Sequence, residues 1–323
     1  MKIGFYIKFD KYSINSKANV IGDELFGESI CKSINKQFKN VQVKLYAPNY
    51  LPEEKLDLMV YLNETIIKSK YANKNIFYLQ NAYDNEKYKV VVDRIVKNNY
   101  NGYIFFSKKI KDYYDTNYKS SLSLYLPFGV DTDFFYPRIY DSKLDFDCAY
   151  IGNDIKGEER TMKFLYPAVD FNFGLFGNWK IQKARFRVWK NFKKSPFYKK
   201  TFEKLSKGKI IQEDVPKLYS SAKINLNCTA QSCVDWDVIT LRSYEILACK
   251  GFLISDTVPI AEQTMKDCIV FTEGGDDLKE KIKYYLNNKE KRMKIAQAGY
   301  DYVRDNASID KRAKELMEYL RRL

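Results

Sequence analysis

The sequence predicts an α/β protein built from two doubly wound domains, and three observations carry this prediction. The chain has 323 residues, which is long for one domain and comfortable for two. Short apolar runs alternate with helix-like segments through the first part of the chain, and the alternation restarts near Phe146 after a polar stretch. Buried strands that alternate with helices are typical of parallel sheets covered on both faces.

The first half of the chain contains six predicted strands, each a short apolar run. They are Lys2–Phe9, Val41–Tyr46, Leu56–Leu62, Ile76–Leu79, Tyr103–Phe106 and Leu122–Leu126. Helical periodicity predicts helices between several of them, at Asp23–Phe38, Asn85–Asn98 and Lys108–Tyr114. The segment Phe134–Pro137 then leads into the polar stretch Arg138–Leu144. We expect the domain boundary within this stretch.

The second half repeats the alternation without a detectable sequence repeat. The predicted strands are Phe146–Gly152, Phe171–Phe176, Ile224–Leu226, Phe252–Ser255 and Ile269–Phe271. The predicted helices are Glu158–Leu165, Val215–Ser221, Thr240–Cys249, one that Asp276 or Asp277 caps and that ends at Asn287, and two more from Lys289 and from about Ser308. A second parallel sheet is therefore expected.

Composition excludes several classes of protein. The longest apolar runs have four to six residues, far below the roughly 20 needed to span a bilayer, and the N-terminus lacks a signal-peptide h-region. Six scattered cysteines without a CxxC motif predict buried, reduced thiols in a cytoplasmic protein. The sequence contains no histidine, which excludes Ser-His-Asp and Cys-His catalysis and a histidine base or metal ligand.

The net charge of +14 is unevenly distributed. Between Lys180 and Lys209, twelve Lys or Arg residues face one acid, Glu203. Aromatic residues lie in and beside this segment: Trp179, Phe186, Trp189, Phe192, Phe197 and Tyr198. Cations that neutralise phosphates and rings that stack on bases are typical of nucleic-acid binding. An amphipathic helical insertion with its aromatic residues packed inward gives the same pattern.

The stretch "LRSYEILACKGFLISD" (241–256) predicts a helix that begins at the carboxyl end of a strand. The free N–H groups at its start, from Thr240 and Leu241 onward, favour an anion such as a diphosphate. Arg242 adds a permanent, forked cation. Glu245, one turn further on, can accept hydrogen bonds from both hydroxyls of a ribose. The alternative is a surface Arg–Glu pair three residues apart.

Several segments resemble group 1 glycosyltransferases. The C-terminal half, "LRSYEILACKGFLISDTVPIAEQTM" followed by "CIVFTEGGDDLKEKIKYYLNNKEKRMKIAQAGYDYV", is most similar to the spore-maturation (CgeB-like) branch, whose R-x-[FY]-E-x-x-A-C motif falls at 242–249. Three further segments resemble the same enzymes, namely "LPFGVDTDFFYP" (126–137), "YIGNDIKGEER" (150–160) and "VPKLYSSAKINLN" (215–227).

The resemblance implies the GT-B fold, in which two Rossmann-like domains face each other across a cleft. Residues 1–139 would be the acceptor-side domain and residues 140–305 the donor domain, with a C-terminal helix at about 306–323 crossing back to the first. The implied activity moves a sugar from a nucleoside-diphosphate sugar, expected to be a UDP-sugar, to a hydroxyl of a glycan, a protein or an anionic polymer. The alternative is a nucleic-acid-binding protein or a DNA glycosyltransferase that uses segment 179–209.

The resemblance also implies roles for individual residues in donor binding. Lys156 and Arg160 are candidates for the cation that touches the diphosphate, and Asn153 stands where some members have Arg. Asp237 and Glu245 correspond to the acids of an E-x7-E pair, with the first shortened to Asp. Gly22 would allow the chain to approach the donor. Each loop charge could equally be solvated.

Two questions of chemistry stay open in the sequence. Asp23 either caps the helix that follows or serves as the base for the acceptor hydroxyl, and Asp84 is the other candidate base. The lack of histidine favours a retaining reaction in which the leaving phosphate assists proton removal. Three D-x-D triplets occur, beginning at Asp131, Asp145 and Asp235. The helix N-terminus makes a metal unnecessary, so no cofactor besides the donor is expected.

Overall fold

The computed structural model describes residues 1–14, 22–64, 67, 69–118, 121–181 and 197–323. The chain divides into two compact units. Unit 1 comprises Met1–Asp131, Asp235–Ile239 and Ala307–Leu323, and unit 2 comprises Thr132–Val234 and Thr240–Asn306. Each unit contains its own parallel sheet, so the chain has two Rossmann-like domains, as the alternating pattern predicted.

The strands lie close to the predicted apolar runs. They are β1 (Lys2–Tyr6), β2 (Gln42–Tyr46), β3 (Leu56–Leu62), β4 (Ala72–Leu79), β5 (Gly102–Phe105), β6 (Leu122–Tyr125), β7 (Cys148–Ile151), β8 (Phe173–Phe176), β9 (Ile224–Asn227), β10 (Leu253–Asp256) and β11 (Val270–Thr272). The sheet of unit 1 has the order β2-β1-β3-β4-β5-β6 and that of unit 2 the order β11-β10-β9-β7-β8. All described pairs of neighbouring strands are parallel.

The described helices alternate with these strands. They are α1 (Gly22–Gln37), α2 (Tyr88–Val96), α3 (Lys108–Asn117), α4 (Glu158–Phe164), α5 (Phe197–Leu205), α6 (Val215–Ser221), α7 (Gln231–Asp235), α8 (Leu241–Ala248), α9 (Pro259–Met265), α10 (Gly275–Asn287), α11 (Lys289–Asn306) and α12 (Ile309–Leu320). None of them is both long and apolar enough to cross a membrane.

The central strands are apolar on both faces because helices cover both sides of each sheet. In β3 and β4 the buried side chains include Met59, Tyr61, Phe77 and Tyr78, each at most 1% exposed. In unit 2 the equivalent core contains Tyr150, Leu175, Leu226 and Ile254, with Phe164 of α4 packed against it. Five of the six cysteines are also buried, and Cys233 is half-buried.

The last helix belongs to unit 1. Ser308 caps α12 by accepting a hydrogen bond from the Lys311 N–H group, which is the predicted start of this helix. Helix α12 packs along α1, where the Ser33 hydroxyl donates to Asp310 Oδ1 over 2.6 Å. At the other end of the helix, the Tyr319 hydroxyl donates to the Leu122 carbonyl at the edge of the sheet over 2.8 Å.

The predicted cap of α10 is wrong. The residue before this helix is Gly274, which has a φ of +84°, and neither Asp276 nor Asp277 is the cap. Asp277 lies inside the first turn and accepts hydrogen bonds from the Thr272 hydroxyl (2.7 Å) and the Glu273 N–H group (2.9 Å). A Cβ at position 274 would lie 2.6 Å from the Lys163 carbonyl. Close packing against α4 therefore selects glycine for the cap position.

Only the two ends of the basic segment Lys180–Lys209 can be described, because residues 182–196 lie outside the described chain. Helix α5 directs Tyr198 and Phe202 into the core of unit 2, next to Trp179, and leaves Phe197 exposed. Lys199 pairs with Asp154 over 2.9 Å. This end of the segment is therefore an amphipathic helix with most of its rings packed inward.

Candidate functional site

The predicted anion-binding helix is α8, and it begins at the carboxyl edge of the second sheet. Thr240 precedes it in an extended conformation, and its hydroxyl is buried with no hydrogen-bond partner among the described residues. The far end of α8 is fixed by the Gly251 N–H group, which donates to the Ile246 carbonyl over 3.0 Å. Gly299 of α11 packs directly on Leu247, where a Cβ would lie 2.6 Å from Leu247 Cδ2. The helix is therefore held rigidly, with the N–H groups of its first turn at the sheet edge.

Arg242 is held by the residues that end the neighbouring strands. Its Nη1 donates to Asn227 Oδ1 over 3.0 Å, and its guanidinium carbon lies 5.0 Å from the centre of the Tyr150 ring. Asn227 is buried, and its Nδ2 donates to both Thr229 Oγ1 and Ser255 Oγ over 3.1 Å. A planar guanidinium stacked on a ring and bonded at one end has a fixed orientation.

Asp256 is the buried carboxylate behind this network, with a residue exposure of 2%. Its Oδ1 accepts hydrogen bonds from the backbone N–H group and the hydroxyl of Thr229, both over 2.9 Å. Its Oδ2 pairs with Arg160. Arg160 also donates to the Thr229 carbonyl (2.6 Å) and to Gln231 Oε1 (2.7 Å). Arg160 thus neutralises Asp256 and ties α4 to the strand ends. Of the two loop cations, Lys156 is therefore the one that forms no ion pair with a described carboxylate.

Lys156 lies near Arg242 and is partly buried. Burial lowers the pKa of the Lys156 ammonium, and the positive charge of Arg242 lowers it further. Among the residues that the structure describes, no carboxylate forms an ion pair with either of these two cations. Two close cations that are not ion-paired favour the binding of an anion between them.

Glu245 is half-buried beside Arg242 and Tyr219. Burial raises the pKa of its carboxyl to about 7, while the Arg242 charge holds the value down in part. The pair is therefore not an exposed Arg–Glu pair on a solvated helix face. Near neutral pH the carboxyl is poised between its charged and neutral forms.

Asn153 braces the loop that follows β7 through its side-chain oxygen. Its Oδ1 accepts a hydrogen bond from the Asn178 N–H group over 2.8 Å. Gly177, with a φ of +131°, lies so close that a Cβ there would be 2.1 Å from the Gly152 carbonyl. These contacts fix the loops that follow β7 and β8 against each other and so position Lys156.

In unit 1, Asp23 lies in the first turn of α1 and does not precede the helix as a cap would. Its Oδ2 accepts a hydrogen bond from Asn63 Nδ2 over 2.9 Å. Burial raises the pKa of Asp23 above its usual value, and hydrogen bonds from Asn63 and Asn81 offset part of the rise. Asn63 follows β3 with a φ of +65°, and its Oδ1 accepts the N–H groups of Gln80 and Asn81 over 2.9 Å. The ends of two strands therefore hold this carboxyl.

The Gln80 side chain, next to this carboxyl edge, is 2% exposed, and its amide has no hydrogen-bond partner among the described residues. The Tyr78 hydroxyl lies beside it but donates to the Leu126 carbonyl over 2.9 Å. A buried amide without a partner costs free energy.

Three further predicted site residues, Gly22, Asp84 and Asp237, lie at the start of a helix or in turns. Gly22 is exposed at the first position of α1, and a Cβ there would meet no atom of the described residues within 4 Å. Asp84 is exposed in a turn before α2. Asp237 has a φ of +59° and belongs to the segment Asp235–Ile239, which packs in unit 1. The structure therefore groups Asp237 with unit 1 and Glu245 with unit 2.

The D-x-D triplet at Asp145 lies at the amino end of β7, opposite the edge that carries Arg242. Lys223 pairs with Asp147 over 2.8 Å and approaches Asp145 to 4.0 Å. Across the described ranges, no three His, Cys, Asp or Glu side chains are grouped so that they could hold a metal ion.

Sequence reasoning missed a set of polar residues that the structure places at both sheet edges. They are Asn63, Gln80, Asn81, Asn227, Thr229, Ser255 and Asp256. Most of them lie at or just beyond the end of an apolar strand, as in "VYLN", "YLQN", "INLN" and "LISD". Ligands of parallel sheets bind at that edge, so this position was a usable signal.

Comparison with protein families places a match in the second half of the chain. The family model described as glycosyl transferase-like matches residues 160–318, just under half of the chain. The matched range contains α8 with Arg242 and Glu245, together with Asp256. Comparison with curated proteins gives no significant match.

Solved structures resemble the whole chain. Sucrose-phosphate synthase from Thermosynechococcus elongatus matches with a TM-score of 0.69 and 13% identity, over 99% of this chain and 98% of that one. HepE from Anabaena in complex with UDP and glucose matches with a TM-score of 0.65 and 13% identity, over 100% of both chains. T4 phage BGT in complex with UDP-glucose matches with a TM-score of 0.61 and 15% identity, over 99% and 98%.

The fold is GT-B. The predicted fold class is thereby confirmed, and the chain has the family domain and the fold of a glycosyltransferase, as the sequence predicted. The finer resemblance to the spore-maturation branch stays a prediction. In GT-B terms, α8 and its two nearby cations lie in the second Rossmann-like domain.

We expect Asp256→Asn to destabilise the protein by about 3–5 kcal/mol, because it leaves the half-buried Arg160 without its carboxylate. Chemical unfolding followed by circular dichroism measures the change. The matched control is Asp170→Asn, which removes an exposed pair with Lys279 in the same unit and should cost at most about 1 kcal/mol. Equal effects of the two substitutions would show that the Asp256 pair does not hold the site together.

Proposed function

We propose that this protein is a glycosyltransferase that takes a sugar from a UDP-sugar and transfers it to an acceptor hydroxyl. The observation that carries the proposal is the pair of cations, Arg242 and Lys156, beside the first turn of α8. Asp256 is paired with Arg160, and among the described residues neither Arg242 nor Lys156 forms an ion pair with a carboxylate, so both are available to an anion. A helix N-terminus with two available cations suits a diphosphate.

The same groups would lower the barrier of the reaction. As the bond between the anomeric carbon and the diphosphate breaks, negative charge grows on the leaving phosphate oxygen. Arg242, Lys156 and the N–H groups at Thr240 and Leu241 are in place before the reaction, so they stabilise this charge without reorganising. Such a site performs the role that a bound metal has in other transferases, and we propose that the transfer is metal-independent.

Glu245 would bind the ribose of the donor. An ionised carboxylate one turn below the phosphate site can accept hydrogen bonds from two neighbouring hydroxyls. Because the pKa of Glu245 is raised in the protein without donor, this carboxyl carries a proton in part of the molecules at pH 7. Donor binding would then favour the ionised form, because hydroxyl donors and Arg242 both stabilise its charge.

Asp23 is the stronger of the two candidate bases. It is partly buried, is oriented by Asn63, and has a raised pKa, whereas Asp84 is exposed in a turn. A raised pKa improves a carboxylate as a proton acceptor. Asp23 would supply the base that the missing histidine otherwise provides, so we propose an inverting transfer in place of the retaining one that the lack of histidine favoured.

Two comparisons support the choice of donor. The HepE structure contains UDP and glucose, and the phage BGT structure contains UDP-glucose. Both proteins resemble this chain over nearly all of its length, with TM-scores above 0.6. We extend the uridine donor to this chain on the strength of the shared fold and the two available cations at α8.

The nucleic-acid alternative has less support from the described residues. Trp179 and Tyr198 are buried in the core of unit 2 and cannot stack on bases. Phe197 is exposed, and Phe186, Trp189 and Phe192 lie outside the described residues. Binding of an anionic acceptor by Lys180–Lys209 remains a proposal that rests on the charge of the sequence.

Arg242→Lys should reduce turnover by on the order of 10²-fold, the scale for loss of one oriented donor to a developing anion. Lysine keeps the charge but loses the bond geometry toward Asn227 and the stack on Tyr150. Steady-state release of UDP from UDP-glucose measures the effect. Arg304→Lys, an exposed arginine of the same unit, is the control. Unchanged turnover in Arg242→Lys would assign Arg242 a structural role.

The affinity for UDP-glucose should increase as the pH rises from 6 to 8, because Glu245 loses its proton in this range. The diphosphate of a nucleotide sugar does not titrate there, so the slope belongs to the protein. We expect Glu245→Gln to flatten the profile and to weaken binding at pH 8 by about 1.5–3 kcal/mol. Titration calorimetry at several pH values measures both effects.

Stability of the free protein provides the matching control for Glu245. Its folded pKa of about 7 lies above the unfolded value of 4.5, so the folded state holds the proton more tightly. The contribution of Glu245 to stability therefore falls as the pH rises through this window. Glu245→Gln should unfold at a higher temperature than the wild type at pH 8 and at an equal one at pH 4. A pH-independent difference would contradict the burial of this carboxyl.

Asp23→Asn should lower turnover by about 10²- to 10⁴-fold, the usual contribution of a general base, and leave the Kd of UDP-glucose unchanged. In the wild type, turnover should fall as the pH drops through an apparent pKa above 3.8. Asp84→Asn is the matched control and should behave as the wild type. A loss of turnover in Asp84→Asn alone would assign the role of base to Asp84.

The anomeric configuration of the product, determined by NMR, tests the proposed inversion directly.

A further inference from the structure

Tyr12 follows β1 in a strained conformation. Its φ of +86° lies in the left-handed region, which is rare for any residue other than glycine and a clear outlier for an aromatic one. Its side chain is 58% exposed. Packing of the ring in the core therefore does not compensate for the strain.

A buried carboxylate holds this loop in place. Glu24, in the first turn of α1, is 2% exposed. Its Oε1 accepts the Tyr12 N–H group over 2.7 Å, and its Oε2 accepts the Ser13 N–H group over 2.9 Å together with the Ser13 hydroxyl. A buried charge is costly unless several donors satisfy it. This arrangement fixes the backbone of the loop and leaves the Tyr12 ring exposed.

A second loop extends the same surface. The Lys11 N–H group donates to Asn49 Oδ1 over 2.9 Å, which ties the loop after β1 to the loop after β2. The Lys11 ammonium lies 5.0 Å from the centre of the Tyr50 ring, and that ring stacks on Tyr46 at 5.7 Å. Phe9 and Tyr50 are both exposed. We call Phe9, Tyr12 and Tyr50 the aromatic platform.

The platform lies at the same sheet edge as the proposed base. It follows β1 and β2, and Asp23 directly precedes the carboxylate that holds Tyr12. Among the described residues around it the charges nearly cancel, because Lys11 pairs with Glu28 over 2.7 Å and the exposed Lys8 and Asp10 carry opposite charges. A surface for a nucleic-acid backbone would need surplus cations.

We propose that the aromatic platform is an acceptor subsite that binds the face of an uncharged pyranose ring. The C–H groups on one face of such a sugar are slightly positive and apolar, so they pack on the negative face of an aromatic ring. Rigid rings offer this contact at a low entropic cost. The proposal rests on the proposed function, which requires an acceptor near Asp23, and it makes that acceptor a glycan.

The test compares Tyr12→Ala with Tyr140→Ala, because Tyr140 lies in unit 2 and is also 58% exposed. The probes are cellobiose, maltose, lactose and a thymidine octanucleotide, with binding followed by ligand-detected NMR, and UDP-glucose, with binding followed by calorimetry. We expect Tyr12→Ala to weaken binding of the disaccharide that the wild type prefers by about fivefold to tenfold. Tyr140→Ala should not change it, and neither substitution should change the Kd of UDP-glucose.

Tyr12→Gly separates recognition from folding. Glycine accepts a positive φ without strain, although it gains freedom in the unfolded chain. The thermal midpoint should therefore stay the same or rise while disaccharide binding weakens as in Tyr12→Ala. A lower midpoint with unchanged binding would show that the ring has a structural role and would overturn the proposal.

The outcomes distinguish the subsite from the proposed function. A wild-type protein that binds UDP-glucose but none of the three disaccharides overturns the subsite and leaves the transferase proposal standing. Loss of oligonucleotide binding in Tyr12→Ala, without an effect on disaccharides, overturns the choice of a sugar. Binding of a disaccharide at Tyr12 in a protein that does not bind UDP-glucose supports the subsite and removes the proposed donor.

Discussion

The buried ion pair between Asp256 and Arg160 organises the second domain. The carboxylate lies at the end of β10 and also binds Thr229, which follows β9. Arg160 brings in the start of α4. Because a buried carboxylate needs several donors, three segments of chain must converge on it. Asn227 and the strand ends beside it then form the frame to which Arg242 is attached.

This pair also distinguishes Arg160 from Arg242. Arg160 and Arg242 are the same type of residue in neighbouring segments, but only Arg160 has a carboxylate partner among the described residues. Arg242 and Lys156 consequently repel each other in the free protein. Repulsion stored in a rigid frame favours any ligand that brings negative charge. The fold thus holds the two cations close together, and this raises the affinity of the site for an anion.

In the first domain a neutral side chain, rather than an arginine, connects the strand ends to a carboxyl group. Asn63 connects the ends of β3 and β4 to Asp23 through both ends of its amide. An amide can donate and accept at once, so it orients a carboxyl without neutralising it. Asp23 therefore keeps a raised pKa, as a proton acceptor requires, whereas a cation in the place of Asn63 would have lowered it.

The sequence by itself determined the alternation of strands and helices and the helix that carries Arg242 and Glu245. Apolar runs such as residues 58–62 in β3 could be placed because burial on both faces requires a continuous run of apolar residues. Short helices such as α7 and α9 were not predicted, because one or two turns show too little helical periodicity. Only the tertiary structure decided that Arg160 is paired with a buried carboxylate, since its partner Asp256 lies 96 positions away in the sequence. Likewise, the burial that raises the pKa of Glu245 and the clamp that strains Tyr12 arise only when distant segments meet.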